Sequence, residues 1–333
     1  MLIPPVYRDC VCFVYATFGG ASKPVGTAFF LSYETPPIRW IVVVTALHVV
    51  ANAQRDSDDH KTYLRVNTRD GGFRLVEVAA EKWFKPDMSE EIIDIAFCQW
   101  DELPGSSDFD FLCIGTELAA TQDVVALEQI GVGNEVAFAG LFVNHHGKQR
   151  NEPVVRFGNI CAVPTEPVST RVGPIQAYLV ESRSVGGLSG SPVMVDVGPF
   201  VQVENRREYR RDDRPVLYLL GVMNAHWNAP VEAGKVSGDL STEYVNMGIA
   251  VVTPIDKVMR VIEQSPYGQM IRAMTQKLIE TEVPPGFAPI DPAGRRQVMV
   301  VKMDMKTGQI ISGPTMTDVP GPTDPKEIDG PTE

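Results

Sequence analysis

The chain has little of several things, and each shortage removes a class of protein. No stretch approaches the ~18 consecutive apolar residues that cross a bilayer as a helix, so no membrane partner is expected. The N-terminus, Met1-Leu2-Ile3-Pro4-Pro5, carries no basic region followed by an apolar run. A secretory signal is therefore not expected, and a cytoplasmic location is. Cysteine is scarce and odd in number: Cys10, Cys12, Cys98, Cys113 and Cys161, with no CxxC pair. That pattern excludes a disulfide framework and predicts reduced, mostly buried thiols. Histidine is scarcer still in function. His145-His146 lies in a polar stretch without the further ligands of a closed zinc site, and His60 lies in a charged loop, so neither metal nor cofactor is expected. Positive charge is the last shortage. With 30 Lys+Arg against 42 Asp+Glu the net charge is −12, which argues against nucleic acid as a main partner. The one arginine-rich stretch, Arg206, Arg207, Arg210, Arg211 and Arg214, is interleaved with Glu204, Glu208, Asp212 and Asp213 and reads as a solvated loop.

What remains is an ordinary globular balance, 44% hydrophobic and 22% charged over 333 residues. Short runs rich in Val, Ile, Phe and Tyr, bounded by Gly, Pro, Asn and Asp, recur up to about residue 253. They include 10–18, 27–32, 40–45, 63–66, 73–80, 93–98, 135–141, 177–180, 192–195, 216–223 and 247–252. Their number and spacing predict an all-β fold rather than βαβ units. Helical periodicity begins at Pro254, with Ile255, Val258, Met259 and Ile262 on one face, and resumes after Ser265-Pro266 with Met270, Ile271, Met274 and Leu278. From residue 284 onward nine of the 26 prolines are concentrated in a tail. Inside it, residues 298–311 read as a β-hairpin.

Three segments carry chemistry. The first is Thr45-Ala46-Leu47-His48, at the end of an apolar strand. The second is Ile93-Asp94-Ile95-Ala96, one Asp in an apolar run. The third is Gly186-Gly187-Leu188-Ser189-Gly190-Ser191-Pro192. Alone, each has a bland explanation. Together they are specific. A buried carboxylate is costly unless paired, and a histidine Nδ1–H would pair it while leaving Nε2 as a base. A serine hydroxyl needs such a base, and glycines beside it let backbone N–H groups reach an oxyanion.

Thr-Ala-x-His, Asp-Ile-Ala and Gly-x-Ser-Gly-x-Pro, in this order and 46 and 95 residues apart, resemble the trypsin-like (chymotrypsin-fold) serine peptidases. They are most similar to the bacterial HtrA/Deg and glutamyl-endopeptidase branches. The resemblance covers roughly residues 8–264 and implies two six-stranded β-barrels. A helical segment (265–283) and the proline-rich tail (284–333) would follow. It also implies Ser189 as nucleophile, His48 as general base and acid, Asp94 as orienting carboxylate, and an oxyanion hole from the N–H groups of Gly187 and Ser189. Ser191 and Ser184 are competing serines; Ser191 lies past the Gly-x-Ser turn. The family's digestive members have an Asp before the nucleophile and a Cys after the histidine. Here Leu188 and Val49 stand instead, which predicts no N-terminal activation switch and no disulfide at that place. No PDZ-sized segment follows.

By the same resemblance, the specificity pocket would be lined by Arg183, Ser184, Met223, Asn224 and His226. Arg183 with His226 would suit an acidic P1 side chain; Val222 and Met223 would favour a small apolar one. Two functions follow. One is an intracellular serine endopeptidase acting on protein or peptide substrates, regulated by a protein partner, with the C-terminal tail as a docking element, or by substrate recognition. The alternative is a non-catalytic module of the same fold that binds peptides or a partner protein.

Overall fold

A computed structural model describes residues 2–35, 38–87, 91–102, 104–105, 108–170, 173–182, 186–203, 206–209, 215–230, 244–280, 296–303 and 310–319. The chain builds two β-barrel-like halves that share a core. After a one-turn helix α1 (Val6–Asp9), strands β1 (Val11–Phe18), β2 (Ala21–Thr35) and β3 (Ile38–Thr45) form an antiparallel meander. Helix α2 (Leu47–Asp56) leads to β4 (Thr62–Asn67) and β5 (Phe73–Val78) on the far side of β1. Strand β6 (Ala96–Trp100) returns to β3, and the two-residue β7 (Ile114–Gly115) pairs with β2.

The second half follows a short helix α3 (Gln122–Leu127). It contains β8 (Glu135–Gly140), β9 (Val154–Ala162), the ribbon β10 (Val168–Thr170) with β11 (Gly173–Ile175), β12 (Tyr178–Glu181) and β13 (Pro192–Asp196). A second ribbon, β14 (Phe200–Val203) with β15 (Arg206–Tyr209), and the long pair β16 (Leu217–Pro230) and β17 (Tyr244–Pro254) complete it. Six of these close a barrel in the order β12-β17-β16-β13-β8-β9. Helices α4 (Ile255–Gln264) and α5 (Pro266–Glu280) come next, then the hairpin β18 (Arg296–Met303) with β19 (Ile310–Val319), which meets β3 in parallel at Met299 and Ile38.

Continuous apolar runs such as Ile41–Thr45 make sense once both faces of the strands are followed. Cys12, Val14, Ala28, Phe30, Ile41 and Val43 point into the first half's own core. Their alternate neighbours Phe13, Tyr15, Phe29, Leu31, Val42 and Val44 point outward, yet are buried. They join Leu141, Met194, Leu219 and Val222 of the second half and Ile255, Val258 and Ile262 of α4 in a shared core. A strand buried on both sides loses its polar alternation. The second half has its own interior around Phe138, Ile160, Leu188, Val193, Val195 and Leu220. Helix α5 also serves this junction. Tyr267 is 4% exposed and packs edge-on to Trp40 and stacked on Phe84 of the first half, with ring centres 4.9 and 5.8 Å away.

Three differences from the sequence reading have physical causes. Among the described residues, the first half is an open, curled sheet, because edge strand β5 meets no further strand. Single bridges, Thr68 to Phe109 and Phe84 to Phe97, lie across the gap. The strand expected from Ile93 starts at Ala96, because Ile95 N–H donates to Ile93 C=O (2.9 Å), a three-residue turn with Asp94 at its apex. Strand β9, which closes the second barrel, was not expected at all. Its Val-Val-Arg-Phe-Gly-Asn-Ile-Cys-Ala sequence is half-exposed through most of its length and has only Ile160 fully buried, so its pattern is weak.

Candidate active site

The loop from β3 into α2 places His48 in the helix's first turn. The preceding residue, Ala46, supplies no side-chain cap. A distant carboxylate takes that role: Asp94 Oδ1 accepts the His48 backbone N–H at 2.8 Å and Oδ2 accepts the ring Nδ1 at 2.7 Å. One residue is thus gripped by both oxygens. The carboxylate satisfies an open N–H at the positive end of α2 and fixes the imidazole tautomer with the proton on Nδ1. Asp94 is buried, 4% exposed, while the His48 ring keeps 28% of its side-chain surface open to the cleft. Its main-chain oxygen is held as well, by Leu47 N–H at 3.3 Å and by the side-chain amide of Asn224.

Ser189 approaches from the second half, on the tight loop before β13. Two glycines in the left-handed region shape that loop, Gly187 at φ +101° and Gly190 at φ +90°. The space is as restrictive as the torsion. A Cβ on Gly190 would lie 2.0 Å from Thr27 C=O, and one on Gly187 2.9 Å from Leu141 C=O. Ser189 Oγ donates to the main-chain oxygen of Asn224 at 2.9 Å, not to His48. Among the described residues, the backbone N–H groups of Gly187 and Ser189 donate to no acceptor. Gly26 sits between the two halves. A Cβ there would touch Val49, next to His48, at 2.6 Å and Ser189 C=O at 3.3 Å.

Asn224 links the halves. It is 1% exposed. Its amide nitrogen donates to Asp94 C=O, its amide oxygen accepts Thr253 N–H at 3.1 Å, and its main-chain oxygen holds the Ser189 hydroxyl. Asn224, expected on the pocket wall, is thus a buried strut between the halves. Met223, expected beside it, is 1% exposed and packs inside the second barrel, because a bulge in β16, with Leu219 and Gly221 paired to Met194 and Val193, brings it to the face of Tyr218 and Leu220. Arg183 and Ser184 lie outside the described residues, as does the side chain of His226. Ser191 is fully buried and therefore closed to a substrate. Leu188, also fully buried, fills the second barrel's core.

The remaining histidines sit apart from this cleft. His145 pairs with Glu152 at 2.8 Å, His146 meets Val143 C=O at 3.0 Å and His60 meets Gln54 C=O at 2.8 Å. Among the described residues no group of His, Cys, Asp and Glu has the arrangement of a metal site, and no helix is long and apolar enough to cross a membrane. All five cysteines are unpaired, and burial pushes the thiols of Cys10, Cys12, Cys98 and Cys113 up, the last to about 12.

Sequence reasoning missed Asn224 as a strut and missed Thr27 and Glu91. Glu91, three residues before Asp94, is bound by Lys257 (2.5 Å) and Arg260 of α4. Burial raises its pKa, but the hydrogen bonds from Lys257 and Arg260 outweigh burial and leave it below the usual range. The signal available for these residues was thin. Each works through partners 114 to 169 residues distant, or through main-chain atoms, which no local pattern records.

No protein-family model matches the sequence, and no curated protein matches it. Solved structures do show likeness. The MamO protease domain from Magnetospirillum magneticum is 16% identical with a TM-score of 0.45, over 77% of this chain and 96% of that one. The Drosophila Grass clip serine protease of the Toll pathway is 16% identical with a TM-score of 0.39, over 82% and 70%. A glutamic acid specific serine protease described as using a histidine triad in substrate binding is 16% identical with a TM-score of 0.34, over 74% and 94%. The chain itself is mostly β, with one closed six-stranded barrel and one curled open sheet.

Proposed function

We propose that this chain is a serine endopeptidase that cleaves peptide bonds through Ser189, His48 and Asp94. The observation that carries the proposal is the double grip of buried Asp94 on His48, which holds the proton on Nδ1 and leaves Nε2 as the basic nitrogen. In the reaction, Ser189 Oγ turns from Asn224 C=O to His48 Nε2, gives up its proton to that nitrogen and attacks the scissile carbonyl carbon. The resulting oxyanion accepts the open N–H groups of Gly187 and Ser189. Asp94 stabilises the imidazolium meanwhile. His48 then protonates the leaving amine, the C–N bond breaks and an acyl ester on Ser189 remains. Water, deprotonated by His48, attacks the ester by the same route and restores the hydroxyl.

A second reading, a non-catalytic module of the same fold, is favoured by one observation: the Ser189 hydroxyl rests on Asn224 C=O rather than on His48. The test is hydrolysis of an unstructured protein such as casein, and of a peptide library, by wild type and Ser189→Ala. Cleavage by wild type that disappears in the variant supports the peptidase. Binding of library peptides without cleavage by either supports the module.

A further inference from the structure

The Gly187–Ser189 loop is held by one residue of the opposite half. Thr27, fully buried on β2, makes four hydrogen bonds. Its hydroxyl donates to Gly187 C=O (2.7 Å) and accepts Leu141 N–H (2.9 Å). Its main-chain N–H donates to Ser189 C=O (2.9 Å), and its own C=O accepts the hydroxyl of Thr45 (2.6 Å). We propose that Thr27 is a positioning residue that anchors the Gly187–Ser189 loop and, together with Ser191, keeps its two open N–H groups in place. This rests on the peptidase reading of the same site.

The geometry is that of planar peptide units. A trans peptide points its N–H opposite to its C=O, so fixing an oxygen fixes a proton. Thr27 fixes the 187–188 unit through the Gly187 oxygen and the 189–190 unit through the Ser189 oxygen. The intervening 188–189 unit is fixed by Ser191 N–H, which donates to Leu188 C=O at 3.0 Å, and its opposite end is the Ser189 N–H. The Gly187 N–H belongs to the preceding 186–187 unit, joined to the fixed 187–188 unit through Gly187 at φ +101°. Three consecutive units are locked, and the Gly187 and Ser189 N–H groups donate to no acceptor among the described residues. Oxyanion stabilisation depends on such preset donors.

The hydroxyl is the part that a sequence would not require. Thr27's main-chain bonds would survive any residue at that position, but Gly187 C=O and Leu141 N–H would lose their partner together. Gly140 leaves room for this arrangement: a Cβ there would lie 2.8 Å from Thr27 Oγ1 and 2.1 Å from Ser191 Oγ.

The test compares Thr27→Val, which keeps the branched shape, with Thr27→Ser, which keeps the hydroxyl. With rates expressed per titrated active site, the valine variant loses roughly ten- to hundred-fold in kcat, as misplaced catalytic groups do, with KM within about three-fold; the serine variant stays within about three-fold in both. A valine variant with wild-type kcat, or a serine variant that falls as far as valine, overturns the proposal. The second measurement needs no activity. Amide hydrogen exchange in the Ser189→Ala background should show Leu141 N–H exchanging at least about ten-fold faster when Thr27→Val is added. Unchanged exchange overturns the pin even if the peptidase reading stands. If the wild type neither labels nor cleaves while exchange still quickens, the peptidase reading fails and the pin does not.

Discussion

The two sides of the cleft are prepared in different ways. On the first-half side, the side chains are locked: Asp94 holds His48 by ring and backbone, and Asn224 and Leu47 hold Asp94's own main chain. On the second-half side, the main chain is locked, by Thr27, Ser191 and Met223, while the Ser189 side chain is turned onto Asn224 C=O. A buried carboxylate cannot be left to find its partner, because an unpaired charge in the interior costs several kcal/mol. A serine hydroxyl can be moved by one rotamer change, an inexpensive and fast step. On the proposed peptidase reading, the acid–base side is built in advance, and the Ser189 hydroxyl must turn from Asn224 C=O to use it.

The largest expected effect breaks the first side. His48→Ala removes the base and should lower kcat by about 10⁴-fold, while Asp94→Ala should do the same and also lower stability by about 2–3 kcal/mol, since the start of α2 loses its cap and His48 its partner. The check is a peptide assay beside a urea melt. If Asp94→Ala unfolds at the wild-type midpoint, the capping account is wrong. A smaller effect comes from the strut shared by both sides. Asn224→Ala strands Thr253 N–H and one contact to Asp94 C=O and should cost about 1–3 kcal/mol, with kcat reduced but not abolished, because the main-chain oxygen that holds Ser189 remains.

The smallest effect concerns the clamp behind Asp94. Glu91→Gln should cost about 1 kcal/mol or less. Because the Glu91 pKa is lowered in the fold, its contribution is present above the ordinary value of 4.5 and is lost as pH falls through the lowered one. Wild type and variant should therefore differ most near neutral pH and converge well below pH 4.5. A gap that persists in acid would show that the loss is one of packing, not of charge.

Much of this was legible in the chain itself, and the rest was not for identifiable reasons. His48, Asp94 and Ser189 stand out because each is a reactive residue in an otherwise apolar or glycine-rich setting. The continuous runs of β1 to β3 announced strands, although not that their second face would be buried by the other half and by α4. Residues whose work is done by main-chain atoms or across the cleft, such as Thr27 and Asn224, look like ordinary strand residues. Strand β9 was hidden by its own partial exposure. Asp94 is expected within a strand because its neighbours are Ile93, Ile95 and Ala96, whereas the local Ile95–Ile93 turn places its carboxylate on His48, 46 residues away.

The most direct test is covalent. Wild type and Ser189→Ala are incubated with a fluorophosphonate probe under native conditions, and intact mass and peptide mapping follow. A single adduct on wild type, located at Ser189 and absent from the variant and from His48→Ala, is the predicted result. A folded wild type that takes up no adduct, or takes it up at another residue, would contradict the assignment of Ser189 as an activated nucleophile.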